Sequence, residues 1–481
     1  MILFRLNLIN TLRRTLCGLL SACVVVPTTA FAADAAPASS VHSRTLSNGL
    51  EIFVKVDRRA PVAVSMLWYR AGSIDETSGT TGVAHVLEHM MFQGTNRFPT
   101  GEFSSMIAEV GGRSNAFTSE DYTGYHQQLH NSNLELSFEL EADRMVNLNI
   151  TEASFAKELR VVMEERRQRV DDNPRALLYE RLNSTMFMAH PYRTPVVGWM
   201  NDLENMQLSD ARDWYDAWYA PNNTVLVVSG DVQPEQVFEL AEKHFGQIPA
   251  RILPVRKPQV EPEQTGIKRV IVKAPARMAT VIMAYHAPAL RDIENDWEPY
   301  ALSILAGVLD GHPAARLQRE MVSTTRVAHS VSSDYDGLRR GPGAFFVSVS
   351  PAQGRSVDDV EQVWREQLDL LVTKGVSKDE LQRVKAQVIA SQVYRQDSVF
   401  GQASQIGRMR SLGLPHDATS VMTRKLREVT PNQVRAVARK YLVDDKLTVA
   451  ILDPQPTAAA GEISLIKPGL VKPGPMKPGS K

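Results

Sequence analysis

At 481 residues the chain exceeds what one hydrophobic core usually spans, so two or more domains are expected. Its 43% hydrophobic and 22% charged residues are those of an ordinary globular protein. Lys plus Arg and Asp plus Glu balance at 54 each, which excludes a global field that would steer the chain to nucleic acid or an anionic membrane.

Residues 1–32 place Arg13 and Arg14 before an apolar run that closes on Ala30-Phe31-Ala32, the pattern of an export signal cut after Ala32. Pro27, Thr28 and Thr29 interrupt the run, which barely reaches spanning length, and this argues against a retained anchor. Leu20-Ser21-Ala22-Cys23 resembles the box at which bacterial lipoproteins are cut and lipidated on the cysteine. The expected location is the periplasm of a Gram-negative bacterium, with an outer-membrane lipoprotein as the alternative; membrane attachment is expected only through Cys23. Cys17 and Cys23 are the only cysteines, so a chain cut at Ala32 has neither disulfide nor thiol chemistry.

Further along, alternating apolar residues predict strands over Glu51–Val56 and Val62–Tyr69. Helical periodicity follows over Val83–Phe92, Phe103–Glu109, Leu134–Asn147 and Ser154–Val170. An amphipathic helix ending in Trp214–Tyr219 leads through Pro221-Asn222-Asn223 into the apolar strand Thr224–Ser229 and Asp231. Val434–Tyr441 likewise ends a helix and leads past Asp444-Asp445 into Leu447–Leu452 and Asp453. Tyr219 to Asp231 and Tyr441 to Asp453 both span twelve residues.

A second correspondence supports this one. Thr151–Arg167 and Ser377–Val393 both start on a hydroxyl cap and continue as long helical patterns, and Ser377 with Glu380 forms a capping box. The offsets of 222 and 226 agree within a few residues, which suggests two α+β domains descended from one unit. Pro249, Pro254, Pro258 and Pro262 mark a linker between them. The expected organisation is a signal over 1–32, a first domain over 41–250, a linker over 251–266, a second domain over 267–455 and a flexible tail over 456–481. The tail reading begins at Pro454, where Pro, Gly, Ala and Lys take over.

The segment His85-Val86-Leu87-Glu88-His89 carries the chemistry. On a helix, His85 and His89 are four apart and Glu88 is three from His85, so all three project from one face. Two neutral imidazoles at that spacing suit a tetrahedral zinc ion, and Glu88 is then close enough to take a proton from water at the metal. This is the H-x-x-E-H order of the inverted zincins. A catalytic zinc needs a third protein ligand, for which the helix from Ser154 offers Glu158, Glu164 and Glu165. Glu158 and Glu165 are two turns apart and share a face. Glu164 points away beside Arg166 and Arg167, as a solvated charge would.

His85–His89, the following Phe92-Gln93-Gly94-Thr95, the stretch Gly111–Thr118 and the pair Glu158 and Glu165 together resemble the pitrilysin family. The closest branch is that of mitochondrial processing peptidase and its bacterial relatives, and the similarity covers residues 41–455. The resemblance implies two homologous domains, each a mixed β-sheet packed with helices, arranged as a half-clamshell. It implies one Zn²⁺ per chain on His85, His89 and Glu165, with Glu88 as general base and Glu158 orienting a ligand histidine. It also implies that Asn115, Ala116 and Phe117 form a sheet edge to which a peptide or unfolded protein substrate adds as a strand.

In the second half, Ala301–Ala306 correspond to Ala84–His89, so the ligand positions read Leu302, Leu305 and Ala306. Glu158 and Glu165 map to Val384 and Ser391. Relatives of this kind usually supply an Arg and a Tyr seven residues apart from this half, where the chain has Val322 and His329. Arg319, Arg326 and Tyr335 lack the expected spacing. A homologous partner subunit supplying that pair is therefore expected. The rival readings are a scaffold or peptide-binding subunit of the same fold and a metal hydrolase acting on something other than peptides.

Overall fold

The computed structural model describes residues 41–456. The segment read as an export signal over 1–32, with Cys17 and Cys23, and the stretch read as a tail from residue 457 on lie outside the described residues. The first half runs β1 (Val41–Thr45), β2 (Glu51–Val56), β3 (Val62–Tyr69), α1 (Val83–Met90), α2 (Glu102–Glu109), β4 (Arg113–Thr118), β5 (Thr123–His130), α3 (Leu134–Asn147), α4 (Glu152–Arg166), α5 (Pro174–Met186), α6 (Met200–Asn205), α7 (Leu208–Trp218), β6 (Thr224–Gly230) and α8 (Pro234–Phe245). The second runs β7 (Lys268–Pro275), β8 (Thr280–Ala287), α9 (Trp297–Asp310), β9 (Ala328–Asp336), β10 (Gly343–Pro351), α10 (Val357–Lys374), α11 (Lys378–Arg395), α12 (Val399–Ser411), α13 (Ala418–Glu428), α14 (Pro431–Tyr441) and β11 (Leu447–Gln455). This is an α+β fold with two mixed sheets.

The sheets have orders β1-β2-β6-β3-β5-β4 and β7-β11-β8-β10-β9. Apart from β1 they are the same sheet twice: β2 and β6 pair in parallel, as do β7 and β11, and the remaining pairs are antiparallel in both. Helices α7 and α14 each lead through a 3₁₀ turn, Pro221–Asn223 and Asp444–Lys446, into the strand that joins the parallel pair.

Strand β3 is apolar almost throughout because both faces of its sheet are covered. Ile52, Val54, Leu67, Tyr69, Leu226 and Val228 point to one side, onto a core shared with α1, α3, α7 and α8. The alternate residues Phe53, Val64, Met66, Trp68, Val225 and Val227 point to the other. There they meet Ala403 and Ile406 of α12, a helix of the second half. Gly407 lets that helix close down, since a Cβ there would stand 2.0 Å from Trp68 Nε1. The exchange is mutual: Leu178, Leu182 and Met186 of α5 bury themselves against Val272, Ile282, Ala284 and Leu452 of the second sheet.

Several boundaries differ from the sequence reading. The helix read as Val83–Phe92 stops at Met90, and β11 continues through Gln455, two residues into the stretch read as tail from Pro454. Thr151 caps α4 by accepting from the Ser154 N–H, so the helix starts at Glu152. Its far end is α-helical only to Arg166; residues Arg167–Asp171 form a π turn. Periodicity cannot separate these, because one extra residue in a turn leaves the polar pattern intact. Residues 251–265 have neither helix nor strand. They are tied to the first half, where the Arg256 guanidinium lies over the Trp218 ring and pairs with Asp75.

Candidate metal centre

Helix α1 starts where Gly82 takes φ 91°, a left-handed conformation that favours glycine. Its first turn is held by a buried carboxylate: Glu76 Oε2 accepts from the Gly82 N–H at 2.8 Å and Oε1 from the Ala84 N–H at 2.9 Å. Burial pushes the Glu76 carboxyl up to about 8, against the pull of those two donors. At the other end, the fully buried Arg144 pairs with Glu141 and reaches toward the Met91 carbonyl.

The fixed helix presents His85, Glu88 and His89 toward α4. Glu165 Oε2 lies 3.5 Å from His85 Nε2 and 3.6 Å from His89 Nε2. One donor atom from each of the three residues lies within 4.8 Å of the other two, the only such group among the described residues. Three observations test whether a zinc ion fits. Glu165 Oε2 is buried without a hydrogen-bond partner. Burial, helped by His89 and Arg169, pulls the His85 imidazole down to about 3, so its ring is neutral and its lone pair is free. Bonds of about 2.0–2.2 Å in a tetrahedral site put ligand atoms about 3.3–3.6 Å apart, as the two carboxylate–imidazole separations are. The residues present fit the ion.

Around this trio, Glu158 Oε2 stands 3.4 Å from His89 Nδ1, and its other oxygen accepts from Gln93 Nε2 at 2.9 Å. Arg169, on the π turn, holds Glu165 Oε1 at 2.8 Å. Glu88 accepts from the Thr118 hydroxyl at 2.5 Å, and burial raises its pKa above the ordinary carboxylate range against that bond. Glu164 is exposed and bonded to Arg167 and Gln168. The roles of Gln93, Thr118 and Arg169 were not readable from the sequence, because each depends on a partner many residues away or on the π turn.

The description Insulinase (Peptidase family M16) matches residues 52–198, and Peptidase M16 inactive domain matches residues 205–388. The zinc protease PqqE of Helicobacter pylori is 31% identical over 424 residues, 86% of this chain and 93% of that one. The chain belongs to peptidase family M16. The mitochondrial-processing peptidase subunit beta of Lentinula edodes is 24% identical, over 84% of this chain and 88% of that one. The crystal structure of a protease from Helicobacter pylori matches with a TM-score of 0.81 at 28% identity, over 86% of this chain and the whole of that one.

Within the M16 fold, Asn115, Ala116 and Phe117 lie on β4, which among the described residues pairs only with β5 and forms an edge of its sheet. Ala116 faces the core around α1, whereas the Phe117 ring turns to the opposite face, edge-on to Trp68 and Tyr122. Gly124 opposite makes room for that ring. The Ala116 N–H donates to Asn115 Oδ1 at 2.9 Å.

In the second half, Leu302 and Leu305 sit in the hydrophobic core and Ala306 packs against it. Val384 closes on Gly307, where a Cβ would stand 2.7 Å from its Cγ1, and Ser391 bonds within its own helix. Val322 is half-buried against the same core, while His329 stands exposed on β9. Arg319 and Arg326 are exposed, and the Tyr335 hydroxyl donates to the Pro288 carbonyl.

Replacing Glu158 by Ala removes the carboxylate beside His89 Nδ1. Zinc affinity, measured by competition with a chelator, is expected to fall about 10–100-fold with the fold retained. Unchanged affinity would deny Glu158 any orienting role.

Proposed function

We propose that the chain is a zinc metalloendopeptidase that hydrolyses peptides or unfolded protein segments. The observation that carries this is the convergence of His85, His89 and Glu165 beside a carboxylate, Glu88, that Thr118 orients. His85, His89 and Glu165 would hold a zinc ion there, which would supply Lewis acidity to a peptide carbonyl and to a water.

Glu88 takes the proton of the attacking water and returns it to the departing amine, so that the carbonyl carbon gains hydroxyl and the nitrogen leaves as an amine. A carboxylate whose pKa burial has raised suits both steps, being basic enough to accept and acidic enough to donate. Substrate lies along the free edge of β4 as an added strand, and its carbonyl can replace Asn115 Oδ1 at the Ala116 N–H. Main-chain bonds of this kind hold varied sequences, provided they are extended.

Glu88→Gln keeps shape and the metal ligands. It should bind one zinc per chain as before and lose about 10²–10⁴-fold in kcat on an unstructured peptide, activity that a chelator also removes from the wild type. Near-native hydrolysis by this variant rules out the mechanism, and a zinc-loaded wild type that binds peptides without cutting them favours the scaffold reading.

Thr118→Val tests the sign of the Glu88 shift. The base form is lost as pH falls through the Glu88 pKa, and the Thr118 hydroxyl favours the charged form. Its removal should therefore move the acid limb of kcat/KM to higher pH; a limb that stays put or moves down contradicts the assignment.

Export to the periplasm with cleavage after Ala32, and pairing with a homologous subunit that supplies the Arg and Tyr absent at Val322 and His329, complete the proposal. The zinc-bearing chain would then be one half of a heterodimer. Purification from the native source should yield a chain that begins at Ala33, bound to such a subunit. A lipidated Cys23 at the N-terminus supports the lipoprotein route instead, and full activity of the isolated chain refutes the heterodimer.

A further inference from the structure

The turn between β4 and β5 carries Asp121, which is buried at the tip of its hairpin. Its Oδ1 accepts from the Tyr192 hydroxyl at 2.6 Å, and its Oδ2 accepts from the Arg340 N–H at 3.1 Å. The Tyr192 hydroxyl in turn accepts from the Gly341 N–H at 2.7 Å. Arg340 and Gly341 belong to the loop between β9 and β10, so the hairpin tip of the second half is seated in the first.

Arg340 makes a second contact there, sending both terminal nitrogens to the Asp75 carboxylate at 2.8 and 3.0 Å. A forked pair of this type fixes direction as well as distance. The loop itself is stiff: Arg291 donates to the carbonyls of Arg339, Arg340 and Gly341. Its seat is tight, because a Cβ on Gly341 would lie 2.3 Å from both His190 Cε1 and Tyr192 Cε2.

Both contacts lead to the metal centre. Asp75 adjoins Glu76, whose carboxylate holds the first turn of α1. Asp121 lies three residues beyond Thr118, which orients Glu88. The turn residues Ser73 and Ile74 also donate to the Ser119 and Glu120 carbonyls, so the two supports form one unit.

We infer that Arg340 is a positioning residue for the metal centre, by which the second half holds both the segment that caps α1 and the turn that follows Thr118. The inference rests on the reading of Glu88 as the base of a peptidase. It gives the half without ligands a part in the chemistry: the geometry of Glu88 against the three donor atoms depends on a side chain that touches none of them.

The test uses the full chain loaded with zinc. Arg340→Ala is expected to keep one zinc per chain and to lose about 10–100-fold in kcat with KM little changed. Hydrogen exchange over residues 82–91 and 113–123 should quicken in the same variant, and Arg340→Lys should recover part of both losses by restoring the second cation that Asp75 has beside Arg256. Tyr192→Phe deletes only the hydroxyl between Asp121 and Gly341 and is expected to shift both readings the same way, should Arg340→Ala not fold. Unchanged exchange in these segments overturns the inference whatever happens to kcat, as does faster exchange with kcat within about twofold of wild type. If the wild type cleaves no peptide, the peptidase reading falls and the exchange result alone decides the positioning role.

Discussion

Helix α1 is eight residues long, too short to hold its conformation by its own hydrogen bonds, yet it must present three polar side chains in fixed phase from a largely apolar environment. Buried polar groups at its two ends meet that demand. The Glu76 carboxyl accepts from two N–H groups of the first turn, and the Arg144 guanidinium reaches toward the Met91 carbonyl at the last. Both groups are buried and partnered: Arg144 by Glu141 and by the faces of Phe103 and Tyr125, Glu76 by the two backbone donors. Moving the helix would leave these buried groups without partners, so it cannot drift in phase without a large loss.

The frame around α1 is set by the mutual exchange of α5 and α12. A β-sheet in the middle of a protein has two apolar faces, and here each sheet has one face covered by its own half and the other by a helix of the opposite half. The two halves are therefore not independent folding units joined by a leash. Residues 251–265 connect them in sequence, but the cluster that α5 shares with the second sheet and the cluster that α12 shares with the first connect them in space. Close approach is built in at Gly407, where no side chain could be accommodated against Trp68.

Where the signal was local, the sequence carried it. The strands Glu51–Val56 and Val62–Tyr69 and the helix Leu134–Asn147 have the bounds that alternation and 3.6-residue periodicity give. The His85, Glu88, His89 spacing places three side chains on one face because helix geometry alone requires it. Glu165 was one of three glutamates that the helix read from Ser154 offered, and periodicity left Glu158 an equal claim; what separates them is the orientation of α4 against α1, which puts Glu165 Oε2 between the imidazoles and Glu158 behind His89. Thr118, Asp121 and Arg340 were unreadable for another reason. Each is an ordinary polar residue at a hairpin end, and only tertiary contact across 219 positions of sequence, in the case of Asp121 and Arg340, gives it a partner. The exchanged helices were hidden in the same way, since an apolar stripe does not say which sheet will receive it.

The second half has the strand order of the first without the metal ligands, and the contacts show why those losses were compatible with the fold. Leu302, Leu305 and Val384 fill with hydrocarbon the place where the first half keeps imidazole and carboxylate, and Gly307 lets the two helices close the gap. An intermediate with only some of those polar groups would have left buried donors or acceptors without partners, at a cost of about 1–3 kcal/mol each. Full replacement by apolar side chains removes that cost and yields a tighter core. A half packed in this way is free of chemistry of its own but rigid, and rigidity is what the β9–β10 loop needs if it is to hold Asp75 and Asp121 in place.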